Sequence, residues 1–206
     1  MKPNYNLYLV TEESVPLEEL LSIVDQAIKG GVSLVQLREK ASSGKSFFEK
    51  AKALNDFLVP LRIPLIINDR IDIALAVGAA GIHVGQDDMP LTAVKSIVNN
   101  EMIVGVSVST LEEAKRAERD GADYVGIGSV FPTSSKNDAE MLSEGALAEI
   151  MSNLEIPAVA IGGIQQENIG QLKNKGLAGV SVVSAIMRAE NPQEAAANLV
   201  KEWHQS

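Results

Sequence analysis

Between Pro64 and Pro90 the chain reads PLIINDRIDIALAVGAAGIHVGQDDMP. The apolar run Pro64 to Ile67 stops at Asn68-Asp69-Arg70, and the run Gly81 to Val84 stops at Gly85-Gln86-Asp87-Asp88. A helical pattern lies between them, so the stretch reads as strand, helix, strand. Neighbouring strands joined by a crossover helix run parallel, and their C-terminal ends lie side by side. Asp69 and Asp88, distant in sequence, are therefore expected to converge. Two hard oxygen donors at one mouth suit Mg²⁺, which takes one or two carboxylates together with waters and phosphate oxygens.

The same cadence extends in both directions. Strands are expected at Asn6 to Val10, Ser33 to Arg38, Pro64 to Ile67, Gly81 to Val84, Ile103 to Val106, Tyr124 to Ile127, Ala158 to Ile161 and Gly179 to Val183. Leu17 to Lys29, Ser46 to Leu58, Leu111 to Asp120, Gln165 to Asn174 and Pro192 to Trp203 carry apolar residues at three- and four-residue spacing and predict helices. Glycines recur at the helix-to-strand joints, as in Gly30-Gly31 and Gly78, where a left-handed cap would release the chain into the next strand. Eight strand-helix units in 206 residues predict an α/β fold, a (β/α)₈ TIM barrel in one domain spanning residues 1–206. An open doubly wound sheet is the rival. Short, evenly spaced, apolar strands favour the barrel.

Composition narrows the function. With 46% hydrophobic residues the chain can bury a sizeable core, and with no cysteine it has neither disulfides nor thiolate metal ligands, which fits a cytoplasmic protein. A net charge of −9 argues against general affinity for nucleic acid or anionic membrane. No run approaches the roughly eighteen consecutive apolar residues of a membrane helix. An anionic small-molecule substrate is compatible if basic side chains gather locally, and a homo-oligomer is left open.

In such a barrel the active site lies at the C-terminal strand ends. The second strand ends Gln36-Leu37-Arg38-Glu39-Lys40, and the two-residue period puts Gln36, Arg38 and Lys40 on one side. These could clamp phosphate oxygens, Arg38 as a fork and Lys40 as a mobile point charge; a solvated strand end paired with an acid is the alternative. Asp69 could instead cap the following helix, and Asp87 and Asp88 could be turn acids. Ser107 ends the fifth strand, while Thr110 and Glu113 form a capping box. His83, inside a strand run, reads as a satisfied core or rim residue. The long connection Gly128 to Ser143 offers Thr133, Ser134, Ser135 and Lys136 to an oxyanion. Gly162-Gly163, followed after the eighth strand by Val183 and a short helical piece from Ser184 to Arg188, fits a phosphate site of the kind barrels place after strands seven and eight.

The segments LYLVT, VQLREK, INDRIDIALAVGAAGIHVGQDDMP, GVSVSTLEEA, GADYVGIGSVFPTSSK, AIGGI and GVSVVSAI, in order along nearly the whole chain, resemble the thiamine phosphate synthase family. The resemblance implies a transferase of thiamine biosynthesis. It would join 4-amino-2-methyl-5-hydroxymethylpyrimidine diphosphate to a thiazole phosphate and release pyrophosphate. It further implies that Gln36, Arg38, Lys40, Asn68, Ser107 and Lys136 hold the pyrimidine diphosphate, with Arg38, Lys40, Ser107 and Lys136 catalytic. Asp69 and Asp88 would bind Mg²⁺, and Thr133, Ser134, Ser135, Gly163, Val183 and Ser184 would receive the thiazole phosphate. Ser135 stands where the family's loop motif carries threonine. A thiazole tautomerase paralogue is the alternative within the fold, and a non-catalytic phosphometabolite-binding barrel the alternative outside enzymes. The tautomerase would call for a histidine in the strand-five loop, where this chain has Ser109.

Overall fold

Four to six residues, buried almost throughout, make each strand of the computed structural model, which describes residues 3–13, 15–133 and 141–204. The strands are β1 Leu7–Val10, β2 Leu34–Leu37, β3 Leu65–Asn68, β4 Gly81–Val84, β5 Ile103–Val108, β6 Tyr124–Ile127, β7 Ala158–Ile161 and β8 Gly179–Val182. All pair in parallel with their sequence neighbours, and β1 also pairs with β8, so the sheet closes into a barrel. The apolar runs are explained by burial on both faces, the condition of a parallel sheet wrapped in helices.

Around the sheet lie α1 Leu17–Lys29, α2 Gly44–Leu58, α3 Ile71–Val77, α4 Leu91–Ile97, α5 Leu111–Arg119, α6 Ala146–Met151, α7 Ser184–Met187 and α8 Pro192–His204. Each lays an apolar stripe on the strands. In α1 the stripe is Leu20, Ile23, Val24 and Ala27, the three- and four-residue spacing of one helix face. The Thr110–Glu113 capping box forms at the start of α5 as the spacing predicts. Among the described residues no helix is long and apolar enough to cross a membrane.

Two expectations need correction. The periodic segment Gln165 to Asn174 is not a helix; only Ile169–Leu172 winds, as a 3₁₀ turn. Asn168 is the reason: its side-chain oxygen takes the Gln165 N–H at 2.8 Å and its amide donates to the Gly163 carbonyl at 2.9 Å, local bonds that compete with helix formation. The joint after α1 also differs in detail, because Gly30 stays right-handed and Gly31 makes the positive-φ turn.

The protein has two apolar cores. The larger lies between strands and helices, while Tyr5, Tyr8, Leu34, Ile66, Tyr124 and Val159 fill the inside of the ring. Tyr124, fully buried, reaches across the barrel only because its neighbour on β5 is glycine. A Cβ at Gly105 would meet the Tyr124 ring at 2.1–2.5 Å. Gly105→Ala is therefore expected to destabilise the fold by about 1–3 kcal/mol, the usual cost of overpacking. A lowered urea midpoint would register it, and an unchanged one would show that the ring can yield.

Candidate active site

The strand ends open into a cavity of about 590 Å³ at one rim of the barrel. Its deep wall is the last inward-facing layer of the strands, and its upper wall is made by the loops that follow them.

β2 continues past Leu37 with its alternation intact. Gln36, Arg38 and Lys40 line the cavity, while Leu37 and Glu39 point the other way into protein. Glu39 is buried and ion-paired with Lys50 of α2 at 2.6 Å, and it also accepts the Ser42 hydroxyl. From the β1 loop, the Glu13 carboxylate takes the Lys40 and Ala41 amides at 3.0 and 2.8 Å. The loop bearing Arg38 and Lys40 is thus fastened from two sides by carboxylates, Glu39 turned into the protein and Glu13 at the cavity edge.

The two aspartates meet at the end of β4. The Asp69 N–H donates to the His83 carbonyl at 2.8 Å, extending the β3–β4 ladder by one residue, and Asp69 sits at φ +60°. That left-handed conformation is tolerated by aspartate better than by most residues, and such outliers gather at functional sites. Asp69 does not cap α3, whose N-cap is Arg70. Asp88 folds back so that its Oδ2 accepts the Gly85 N–H at 2.7 Å. Gly85 permits this, since a Cβ there would stand 2.9 Å from that oxygen. Asp88 is therefore a turn acid as well as a cavity residue. Partial burial and the adjacent Asp88 carboxyl hold Asp69 above the ordinary aspartate range, against the pull of the Lys40 ammonium that ion-pairs with it. Among the described residues no group of three or more potential metal-binding side chains is present. Asp69 and Asp88 supply anionic oxygens at this corner, and Glu12 and Glu13 from the β1 loop line the cavity as well.

On the opposite side the wall, among the described residues, is neutral apart from Arg188, which is paired with Glu12. Thr133, Gly163, Val183 and Ser184 line it, with α7 starting at Ser184. The Gly162-Gly163 turn also docks the β6 loop: the Phe131 N–H donates to the Gly162 carbonyl at 3.1 Å, and a Cβ on Gly163 would strike the Pro132 carbonyl at 2.3 Å. Ser134, Ser135 and Lys136 lie outside the described residues. The other eleven residues singled out from the sequence all line this one cavity.

Several cavity residues escape a reading confined to strand ends. Tyr8, His83 and Ser181 lie one layer deeper, and Glu12 and Arg188 pair across the mouth at 2.9 Å. Ser181 Oγ and Asn68 Nδ2 are buried, with no hydrogen-bond partner among the described residues. His83 is satisfied, as the sequence suggests, by Tyr124 Oη at Nδ1 and Ser107 Oγ at Nε2, both at 2.9 Å. It also faces the cavity. What the sequence offers for Tyr8, His83 and Ser181 is a polar side chain inside an otherwise apolar strand run.

Comparison with known proteins finds relatives along nearly the whole chain. A family model described as thiamine monophosphate synthase matches residues 7–186. The chain is 49% identical over 198 residues to the thiamine-phosphate synthase of Methanobrevibacter smithii, covering 96% of this chain and 95% of that one. It is 48% identical over 194 residues to that of Clostridium tetani, covering 94% and 93%. Among solved structures, thiamine phosphate pyrophosphorylase from Pyrococcus furiosus superposes with a TM-score of 0.87 at 35% identity, covering 99% of each chain.

Burial pushes His83 down from 6.5 to about 4, partly offset by the charge of Asp88. The folded protein therefore binds fewer protons there than the unfolded chain. The stability contributed by the neutral ring is complete above about pH 6.5 and is lost as pH falls toward 4, about 3 kcal/mol across the window. Urea unfolding between pH 7 and 4.5 is expected to fall more steeply for the native protein than for His83→Gln. Parallel curves would mean that the ring charges freely in the fold.

Proposed function

Because the chain belongs to the thiamine monophosphate synthase family, we propose that it joins 4-amino-2-methyl-5-hydroxymethylpyrimidine diphosphate to 4-methyl-5-(2-phosphooxyethyl)thiazole, or its carboxylate. Thiamine phosphate forms and pyrophosphate leaves. The protein is a transferase. The observation that carries the specific reading is the division of the cavity: Arg38, Lys40, Asp69 and Asp88 from β2, β3 and β4 on one side, and on the other mainly neutral donors beyond β6, β7 and β8, where the charged residue among the described ones, Arg188, is paired with Glu12. A diphosphate suits the first and a monophosphate bound through hydroxyl and backbone N–H groups suits the second.

On the charged side, Arg38 offers a two-pronged donor and Lys40 a mobile ammonium for the diphosphate oxygens. Gln36, Asn68 and Ser107 hold the ring and its methylene. The buried, unpartnered Asn68 amide supports this, since such a donor is costly unless a ligand meets it. Asp69 and Asp88 would hold Mg²⁺. Their fit rests on this chain's own electrostatics: partial burial first, and then the adjacent Asp88 carboxyl, raise the affinity of Asp69 for a proton, and a divalent cation would relieve the repulsion between the two carboxyls. Two carboxylates also match the number Mg²⁺ takes when phosphate oxygens and waters complete its shell. Bound there, the ion would neutralise charge growing on the leaving group.

The chemistry proposed is dissociative. The methylene carbon parts from pyrophosphate as a cation stabilised by the aminopyrimidine, and the thiazole nitrogen captures it. The enzyme's task is then electrostatic, shared by Arg38, Lys40, Ser107 and Lys136, and no base is required. Thr133, Ser134, Ser135, Gly163, Val183 and Ser184 seat the thiazole phosphate. The tautomerase alternative lacks the histidine it calls for: position 109 is serine, bonded through both N–H and Oγ to Glu113 at the α5 cap.

Incubating the protein with both substrates and following thiamine phosphate by fluorescence after oxidation tests the reading directly; absence of product would reject it. Arg38→Ala is expected to lower kcat by about 10²–10³, the effect of losing one well-placed transition-state donor. Asp88→Ala is expected to abolish turnover with circular dichroism unchanged, and to abolish the Mn²⁺ binding seen by electron paramagnetic resonance in the native protein. Retained binding would take Asp88 out of the metal role.

A further inference from the structure

Below the charged rim, five side chains form one continuous hydrogen-bonded line. Gln36 Nε2 donates to Tyr8 Oη at 2.6 Å, Tyr8 Oη lies 2.9 Å from Tyr124 Oη, and Tyr124 Oη lies 2.9 Å from His83 Nδ1. His83 Nε2 then lies 2.9 Å from Ser107 Oγ. The three inner members are buried, and Tyr124 packs edge or tilted against Tyr5, Tyr8 and His83 with centroids 5.0–6.0 Å apart, so the rings have little freedom. Both ends of the line face the cavity.

One arrangement gives every proton of the line an acceptor. An amide nitrogen only donates, so Tyr8 Oη accepts from Gln36, and the acceptor within reach of its own single proton is Tyr124 Oη. Tyr124 in turn gives its only proton to His83 Nδ1, which must be bare. A ring whose hydrogen-bonding neighbours are hydroxyls, with no carboxylate in contact, is neutral, and its proton then resides on Nε2 and is donated to Ser107 Oγ. The Ser107 hydroxyl, already accepting from His83, has its own proton to direct into the cavity. At the other end Gln36, donating inward, turns its carbonyl oxygen outward.

We propose that Tyr8, Tyr124 and His83 are positioning residues that set the polarity of the two ends of the cavity floor, an acceptor at Gln36 and a donor at Ser107. Resting on the reading above, the ligand they select is a heteroaromatic ring with an exocyclic amine, whose hydrogens meet Gln36 Oε1, and with an anionic leaving oxygen, which Ser107 meets. The two ends are coupled. Reversing Gln36 reverses each link and presents a lone pair where the leaving oxygen needs a proton.

The test begins without substrate. Two-bond ¹⁵N–¹H correlation on ¹⁵N-histidine-labelled native protein is expected to give His83 as the Nε2–H tautomer. Finding the Nδ1–H tautomer overturns the relay, and this arm needs no variant to fold. Tyr124→Phe removes the donor to Nδ1 and is expected to mix the tautomers and lower kcat roughly two- to tenfold, the worth of one hydrogen bond. The KM for the thiazole phosphate is expected to stay unchanged. In a Ser107→Ala background the same change is expected to cost nothing further, because its effect passes through Ser107; additive losses overturn the proposal. If the native protein turns over neither substrate, the functional reading fails, and the tautomer alone then decides the relay.

Discussion

Closing eight parallel strands of four to six residues into a ring leaves little room inside, and every feature of the site answers to that limit. The interior holds three tyrosines, two aliphatic residues from β2 and β3, and Val159, a plug that stops the cavity from running through the barrel. Glycine at Gly105 makes way for the Tyr124 ring, and that ring in turn carries the hydroxyl on which His83 leans. The floor of the cavity is therefore the top of the packed core. A change in packing below alters hydrogen bonding above.

Electrostatics at the rim is arranged in two depths. Arg38, Lys40, Asp69 and Asp88 face the cavity, all at least partly accessible, and Glu12 and Arg188 pair at its mouth. Behind them the buried Glu39–Lys50 pair and the Glu13 carboxylate fasten the β2 loop. A buried ion pair of this kind adds little net stability, because desolvation offsets most of the attraction, yet removing one partner is costly. Its evident effect is to fix direction. Glu39 drawn into the protein leaves its neighbours Arg38 and Lys40 on the cavity side.

Much of this was legible in the chain. β4, β6 and β7 fall on the expected residues because their apolar runs end abruptly at glycine, turn or polar residues, and α1 because its stripe is uninterrupted. The convergence of Asp69 with Asp88 followed from parallel pairing alone. Gln165 to Asn174 misled because Ile169 and Leu172 are buried at helical spacing while Asn168 bonds its own backbone surroundings. The deeper cavity residues were hidden for a different reason. Tyr8, His83 and Ser181 sit within apolar strands, where a polar side chain reads as an exception to be satisfied rather than as the face of a cavity. Only closure of the ring reveals that their neighbours across it are polar too.

The pairing of β1 with β8 has a bearing on how the molecule is made. During synthesis the first strand emerges early and can pair with β2, but its other edge has no native partner until residues 179–182 leave the ribosome. Through that interval β1 and the most recent strand present open hydrogen-bonding edges, the kind of surface that recruits other chains. α8, which packs against α1 and β1, follows β8 and covers the seam. Nascent chains halted short of that point would be the species most in need of a chaperone.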